Sequence, residues 1–442
     1  MNETETQSFT ATDDLEEFQS RLAGPDWLGE LRAAAAARFA EAEWPKTSEE
    51  EWRRTNLSPF EFGVYEARPA VTGTAVASAL ESATGELGRD DRAGVISYRD
   101  EVLERVAIDQ ELAGRGVIFG DLHAVIGGDQ RTEGVVRATL ERTLEEADNR
   151  LITWHLALLQ SAVVLYVPAN VAVEQPFEVD LRFSGDEVVA APHLIAILER
   201  GAQASIVRRL GGEEDGEVLL VDANEFVVHE GARLKYANLQ RMNEESVYFG
   251  NDRGNVARDA QVHRTEAALG SDFVKSRYVS ELSGAGADAV LNGIYFATDE
   301  QHMDLRTVQR HRAPHTTSRA FYRGAVRDES HAIYQGLIQV DHEAVGTDAY
   351  LTNKNLILSE ESRADSIPSL NIATDDVRCS HGSTTGRLDA TQLFYLRSRG
   401  FNEVEAKRFL VEGYFEDLIA QTPAMLQDEL RELIMARIGD DE

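Results

Sequence analysis

The stretch DDVRCSHGSTTG, residues 375 to 386, holds the only cysteine of this 442-residue chain, Cys379, with His381 two positions after it. On a β-strand this spacing puts both side chains on one face, with Cα atoms about 6.6 Å apart. Both could then reach one metal ion or one neighbouring group, and a protonated histidine would lower the pKa of the thiol. The same spacing also fits a buried structural cysteine beside a strand-end histidine, and it does not decide between the two interpretations.

Several other chemistries are excluded by what the sequence lacks. A self-contained iron–sulfur or zinc site takes about four ligands, usually thiolates, and this chain has one thiol. The sequence has no G-x-x-x-x-G-K-[ST] phosphate loop, no G-x-S-x-G elbow and no H-E-x-x-H pair. The histidines at 302, 311 and 315 favour polar contacts at turns over metal ligation. We therefore expect an isolated chain that binds no stable cluster and hydrolyses no ATP.

The charge of the chain is strongly acidic, with 77 acidic and 44 basic side chains and a net charge of −33. Such a surface repels nucleic acid and anionic lipid, so neither is an expected partner. The acidity is spread over the whole chain and only five basic residues are lysines, which is typical of proteins from a high-salt, halophilic cytosol. The single cysteine, the polar N-terminal segment and the absence of a long apolar run predict a cytoplasmic protein without a membrane span.

The secondary-structure pattern of the sequence changes twice along the chain. Residues 1–155 are predicted to form a mainly helical N-terminal region, and residues 387–442 a C-terminal helical domain. Between them, residues 156–386 are a succession of short β-rich runs without helical periodicity. Asn-Gly and Asp-Gly hairpin signals are rare there, which disfavours a sandwich or an antiparallel barrel. The expected fold is a mainly β chain with a right-handed parallel β-helix core, of roughly nine turns of 20–25 residues.

Recurrent small-residue corners precede the predicted strands. They occur in GAQASIV, GARLKYA, GADAVLN and GAVRDESHAIYQG, at irregular spacing, which indicates a degenerate solenoid. In the C-terminal helices, Asp389 and Asn402 are predicted N-caps. The last helix carries an apolar stripe, which either folds back on its own domain or docks a partner. The stripe consists of Leu426, Leu430, Leu433, Ile434 and Ile438.

Several long motifs resemble the SufB/SufD family of iron–sulfur cluster assembly scaffolds. The match is most specific in HRAPHTTSRAFYRGAVRDESHAIYQGLIQVDHEAVGTDAY, NLILSEESRADSIPSLNIATDDVRCSHGSTTG and QLFYLRSRGFNEVEAKRFLVEGYFEDL. Upstream, EEEWRRTNL and VVLYVPANVAVEQPFEV are similar to the N-terminal segment and to the entry into the β-helix. Within the family, CSHG at 379–382 resembles the SufD branch, because SufB normally carries acidic residues in place of Ser380 and Gly382.

The resemblance implies a non-catalytic scaffold subunit of a SufBCD complex. It implies a SufB-type paralogue paired through the β-helices, a SufC ATPase bound through the C-terminal helices, and sulfur delivered by a cysteine desulfurase. His381 would face the cysteine of the SufB partner, with Cys379 beside it, so that any metal would be shared with the partner chain. The cluster would be transient and shared with SufB, ATP would be used only through SufC, and the apolar stripe would be the SufC contact.

Two other functions compete with this interpretation. One is a self-sufficient, SufB-like homodimer that builds a cluster across a two-fold axis. The other is a β-helix carbohydrate-active enzyme, which needs paired carboxylates on one face of the solenoid. The TDD sequence at 374–376 is the candidate for such carboxylates. Co-purification of SufB and SufC would distinguish the three functions.

Overall fold

The computed structural model describes residues 12–69, 85, 87 and 91–438. Two β-sheets form its centre. Among the described residues, sheet I has 11 strands and sheet II has 10. From residue 193 onward the chain alternates between the two sheets, and each strand pairs in parallel with strands of the neighbouring turns. Helices lie at both ends of the chain. The predicted parallel β-helix with flanking helices is confirmed.

The elements follow one another in a simple order. The N-terminal part contains α1 Thr12–Ser20, α2 Asp26–Glu41, β1 Glu66–Ala67, β2 Gly94–Arg99, β3 Val102–Ile108, α3 Gln110–Gly114, β4 Ile118–Asp121, α4 Leu122–Val125, α5 Gln130–Glu145 and α6 Arg150–Leu158. The solenoid strands are β5 Val163–Val167, β6 Phe177–Phe183, β7 Val188–Ala190, β8 His193–Leu198, β9 Gln203–Gly212, β10 Val218–Val228, β11 Arg233–Arg241, β12 Val247–Val256, β13 Gln261–Ala268, β14 Phe273–Leu282, β15 Asp288–Ala297, β16 His302–His311, β17 Thr317–Val326, β18 His331–Val340, β19 Thr347–Ile357, β20 Arg363–Ile372 and β21 Val377–Arg387. The chain then continues into α7 Ala390–Ser398, α8 Glu403–Ile419 and α9 Ala424–Ile438.

The N-terminal region also contributes strands to the β-helix. Strand β2 pairs in parallel with β6 of sheet II, and β4 pairs antiparallel with β5 of sheet I. The sequence GVISYR at residues 94–99 forms β2. The first turns of the solenoid are therefore closed by strands that precede residue 155.

The turns of the solenoid are longer and fewer than predicted. Arg233 pairs with Gln203, 30 positions before it, and with Gln261, 28 positions after it. The solenoid has about 8 turns, which corrects the expected nine turns of 20–25 residues. The reason is that polar residues such as Asp222 and Asn224, which looked like strand breakers, lie inside the 11-residue strand β10. They point into the solenoid, where their hydrogen bonds are made with other buried side chains.

Three of the four predicted corners are confirmed. Gly201, Gly231 and Gly286 each precede a strand of sheet II and have φ of 69°, 66° and 73°. This left-handed conformation is costly for residues with a Cβ, which explains the recurrent glycine. In the fourth motif, Gly324 instead lies inside β17, and Asp328 makes the turn with φ of 57°. Aspartate tolerates this conformation better than most residues, so the corner survives without a glycine.

The interior of the β-helix is built from stacked columns of side chains. Alternate residues of each strand point inward, and in-register pairing places them above their counterparts in the previous turn. In sheet II one such column runs from Leu234 through Val262 to Ala289. All three side chains are buried, and burying each large aliphatic side chain stabilises the fold by about 1.5–3 kcal/mol.

A buried ionic pair lies in the same interior. Arg208 of β9 donates two hydrogen bonds to the carboxylate of Asp222 of β10, at 2.7 and 2.6 Å. Both side chains are 0% exposed. The Tyr248 hydroxyl and the Asn224 amide also donate to Asp222, at 2.8 and 3.3 Å. The pair therefore joins the two sheets across the solenoid in a site without solvent.

The C-terminal helices begin at the predicted caps. The Asp389 carboxylate accepts from the backbone N–H groups of Thr391 and Gln392. Asn402 and Glu405 form a complete capping box at the start of α8. These bonds satisfy donors that a helix N-terminus otherwise leaves unpaired, and each cap stabilises its helix by about 1 kcal/mol.

A buried glutamate links the N-terminal helices to the outer face of sheet I. The Glu225 side chain is 1% exposed and accepts a hydrogen bond from the Thr143 hydroxyl of α5 at 2.6 Å. Burial raises the pKa of Glu225 to about 7, against the opposing effects of the Thr143 hydrogen bond and the nearby cations Arg142 and Arg253. Asp252 on the adjacent strand acts in the same direction as burial.

The Glu225 carboxyl predicts a pH-dependent stability. Its folded pKa lies above that of an unfolded glutamate, so the folded chain keeps a proton that the unfolded chain releases. Stability should therefore fall as pH rises from about 4.5 to 7, by about 3 kcal/mol for this one group. Glu225→Gln keeps the Thr143 bond and removes the titration. Between about pH 4.5 and 8, the melting temperature of Glu225→Gln should rise relative to that of the wild type as pH rises. If the difference between the two melting temperatures did not change with pH, the raised pKa of Glu225 would be contradicted.

Candidate functional site at the end of the solenoid

The two residues singled out by the sequence lie on the last strand of sheet II. Strand β21 pairs with β19, which places Cys379 beside Ala349 and His381 beside Leu351. Ala349 and Leu351 are buried in the interior columns of the solenoid. Cys379 and His381 are thus the next positions of two inward-facing columns, which agrees with the predicted common face.

The end of the solenoid is open in the part of the chain that the structure describes. There, β20 pairs only with β18, and β21 pairs only with β19. Leu370 and Ile372 of β20 continue columns whose previous members, Ile338 and Val340, are buried, yet they are 40% and 38% exposed. Strands with an unpaired edge present free N–H and C=O groups to another chain. The last turn therefore presents two strand edges, apolar side chains and an exposed imidazole together.

The thiol and the imidazole have different environments. Cys379 is half-buried and packs against the interior core, whereas His381 is exposed. Burial raises the pKa of the Cys379 thiol, the nearby Asp348 carboxylate adds to that effect, and the Ala349 backbone opposes it. In the chain on its own, the net effect of these groups is a raised pKa of the Cys379 thiol. A neutral thiol is a poor metal ligand until a metal or a partner cation stabilises its thiolate.

The described residues offer no larger ligand set around this pair. Within 12–69 and 91–438, no group of three or more His, Cys, Asp or Glu side chains is placed to hold one metal ion. The pair Cys379 and His381 can supply at most two ligands. A tetrahedral metal or a cluster at this end would need further ligands from outside the described chain.

His311 makes structural contacts, and the carboxylates of the TDD sequence lie in an exposed turn. His311 exchanges hydrogen bonds with the hydroxyls of Thr316 and Ser318, at 2.7 and 2.8 Å, so the predicted polar contact is confirmed there. Asp375 and Asp376 lie exposed in the turn between β20 and β21. An exposed turn lacks the low-dielectric cleft that raises the pKa of a glycosidase acid.

The apolar stripe of the last helix faces its own β-helix. Leu426, Leu430, Ile434 and Ile438 are 1–6% exposed and belong to a core cluster that includes Leu239 of sheet II. Leu433 is partly buried at the edge of that cluster. The placement fits the alternative in which the stripe folds back on its own domain, and it leaves little of these side chains for a partner. Their expected role as the SufC contact is not supported by this packing.

Sequence reasoning missed an exposed aromatic patch on the first two C-terminal helices. It consists of Phe394 and Tyr395 of α7, Phe401 before α8 and Phe409 of α8, which are 73%, 57%, 36% and 57% exposed. The rings of Phe401 and Phe409 are 5.4 Å apart. Helix α7 has no buried residue. The signal was present in the sequence QLFYLRSRGF, because adjacent aromatic residues on a helix cannot both lie on one narrow apolar stripe.

The chain matches two family models over most of its length. The model described as SUF system FeS cluster assembly, SufBD core domain, matches residues 181–414, and that of the SufBD protein N-terminal region matches residues 21–179. No helix in the described ranges is long and apolar enough to cross a membrane.

Known relatives carry the same family name. An iron–sulfur cluster assembly SufBD family protein of Mycobacterium tuberculosis is 33% identical over 66% of this chain and 73% of its own. The iron–sulfur cluster assembly protein SufD of Escherichia coli is 31% identical over 58% of this chain and 60% of its own, and SufD of Bacillus subtilis is 23% identical over 92% and 93%. The extent of these matches shows that the chain belongs to the SufBD family of iron–sulfur cluster assembly proteins.

Proposed function

We propose that the chain is a SufD-type, non-catalytic scaffold subunit that pairs with a SufB-type paralogue at the open end of its β-helix. The observation that carries the proposal is the last turn, where two unpaired strand edges meet the exposed side chain of His381. A second β-helix of the same family has the matching geometry to extend both sheets across the interface. Burying Leu370 and Ile372 would add apolar contact area there.

His381 then faces the partner chain and acts on chemistry that the partner completes. An imidazole can bind iron or, when protonated, stabilise a neighbouring thiolate of the partner. Cys379 lies two residues before His381 on the same face of β21, and its thiol can become a ligand once it loses its proton. The iron–sulfur cluster is the cargo of the complex, transient and shared with SufB, and its sulfur comes from a cysteine desulfurase. ATP is used through SufC, since the chain has no phosphate loop.

The aromatic patch is the surface that fits a SufC contact. It comprises Phe394, Tyr395, Phe401 and Phe409, all on the C-terminal helices that the family resemblance assigns to SufC binding. Exposed aromatic residues are typical of protein interaction sites. The surface also leaves the buried stripe of α9 free to hold the helices on the β-helix.

Substitution in the patch is expected to separate SufC binding from folding. Phe394→Ala with Phe409→Ala should weaken SufC binding by tenfold or more, the usual effect of removing aromatic anchors, with little change in melting temperature. As a matched control, Leu430→Ala in the buried stripe should destabilise the protein by about 2–5 kcal/mol. Calorimetric titration with SufC and thermal melts test both. Full SufC affinity in the aromatic double variant would contradict this contact surface.

Co-expression with SufB and SufC tests the proposed function as a whole. We expect the three chains to co-purify, with one copy of this chain for each SufB. A stable homodimer that binds a cluster without SufB would instead support the self-sufficient scaffold. Purification without either partner, from cells that contain both, would contradict the assignment.

A further inference from the structure

A polar cavity lies between the N-terminal helices and the outer face of sheet I. Its volume is about 360 Å³. The floor is formed by outward side chains of β10, β12, β14 and β16, and the roof by the end of α5 and the loop that leads to α6. The volume is near the lower limit of pockets that bind small molecules, which is about 300 Å³.

Four arginines line the cavity: Arg253, Arg277, Arg310 and Arg312. Arg277 is neutralised by a bidentate pair with Asp148, at 2.9 and 2.8 Å. Arg253 pairs with Glu146, and both Arg253 and Arg312 pair with Glu281, at 2.9 and 2.6 Å.

Arg310 is the exception among these arginines. It lies beside Glu281 in the strand register, but that carboxylate is already taken by two other guanidinium groups. No carboxylate of the described chain lies within ion-pair distance of Arg310. In a chain with 77 acidic and 44 basic residues, this leaves a positive charge that the protein itself does not balance.

The hydrogen-bonding groups of the cavity also show an excess of donors. The Nε–H groups of Arg253 and Arg310 are buried and have no acceptor within hydrogen-bond distance among the described residues. The two terminal nitrogens of Arg310 make no hydrogen bond within the described chain and are not buried, so the cavity favours an occupant that brings acceptor oxygens. Guanidinium forks bind phosphate and carboxylate groups in this way.

We propose that this cavity binds a small multivalent oxyanion, a diphosphate or a polycarboxylate, with Arg310 supplying the unbalanced charge. The ligand oxygens accept from the terminal N–H groups of Arg310, which make no hydrogen bond within the described chain. Arg312, whose side chain is 44% exposed, also lines the cavity and meets the anion as it enters. The site is separate from the His381 end, so it does not depend on the proposed pairing with SufB.

Titration calorimetry of the full chain with pyrophosphate and with citrate, at constant KCl concentration, tests the proposal. At least one probe should bind, and Arg310→Gln should weaken that binding tenfold or more. Arg200→Gln is the matched control, because Arg200 is exposed, lies outside the cavity and carries the same charge. Its effect should be less than twofold. Binding of one probe alone identifies the phosphate or the carboxylate class, and either result supports the site.

Two results would overturn the proposal. The first is that neither probe binds, which would mean that water alone fills the cavity. The second is an equal loss of binding in the two arginine variants, which would indicate unspecific attraction to positive charge. Thermal melts provide an independent measurement, since a bound ligand stabilises the folded state. Pyrophosphate or citrate should raise the melting temperature of the wild type and of Arg200→Gln, but not of Arg310→Gln.

Discussion

Replacing His381 with alanine is expected to leave the complex with SufB and SufC assembled and to abolish cluster formation in cells. The reason is the position of His381, exposed at the open end and in register with the interior column of Leu351. Alanine can neither bind iron nor stabilise a partner thiolate. The side chain makes no part of the buried core, so its loss should cost little folding stability.

Cys379→Ser is the matched comparison for this variant, because it changes the neighbouring inward position of the same strand. Its effect should be milder, since the half-buried thiol packs against the core and serine is of similar size. Both variants are expressed with SufB and SufC in a strain that depends on this pathway, and subunit stoichiometry and cluster absorbance are measured. Normal cluster yield from His381→Ala would make His381 structural. Loss of the complex would place the defect in assembly, and equal cluster loss in both variants would make Cys379 a working ligand.

The largest effect on stability is expected from Asp222→Asn. The substitution keeps the volume of the side chain but leaves the guanidinium of Arg208 buried without a counter-charge. Removing one partner of a buried ion pair destabilises a protein by about 3–5 kcal/mol. Guanidinium denaturation followed by circular dichroism should show a loss of that size. The β-helix would unfold at a lower guanidinium concentration, with no direct change in the structure around His381.

A double variant provides the control for the ion pair. The variant Arg208→Met with Asp222→Leu replaces both charged side chains with apolar side chains of similar length. It should be clearly more stable than Asp222→Asn, because no unpaired charge remains in the interior. If the double variant loses as much as the single one, the pair contributes through packing and not through charge compensation.

Much of the fold could be predicted from local patterns in the sequence. The corners at Gly201 and Gly231 need a left-handed backbone conformation, which favours glycine. A recurrent glycine before a strand can be recognised in a single sequence. The caps at Asp389 and Asn402 are equally local. The shared face of Cys379 and His381 follows from the two-residue period of a strand.

The features that were missed depend on contacts between distant parts of the chain. Asp222 resembles a strand breaker until Arg208 of the previous strand is placed opposite it. The stripe that includes Leu430 looks the same whether it meets a partner or sheet II of its own chain. Likewise, the free charge of Arg310 exists only because Glu281 is shared by two other arginines. Each of these facts belongs to the packing of the turns, which no local window of sequence contains.

The labelling rate of Cys379 tests most directly the claim that the open end of the β-helix is an interface with SufB. The chain has one cysteine, so maleimide modification of this subunit reports on one site alone. The half-buried thiol should react slowly but measurably in the isolated chain. In the purified complex with SufB and SufC we predict that labelling of Cys379, followed by mass spectrometry of this subunit, is suppressed at least tenfold. An unchanged rate in an intact complex would contradict the account.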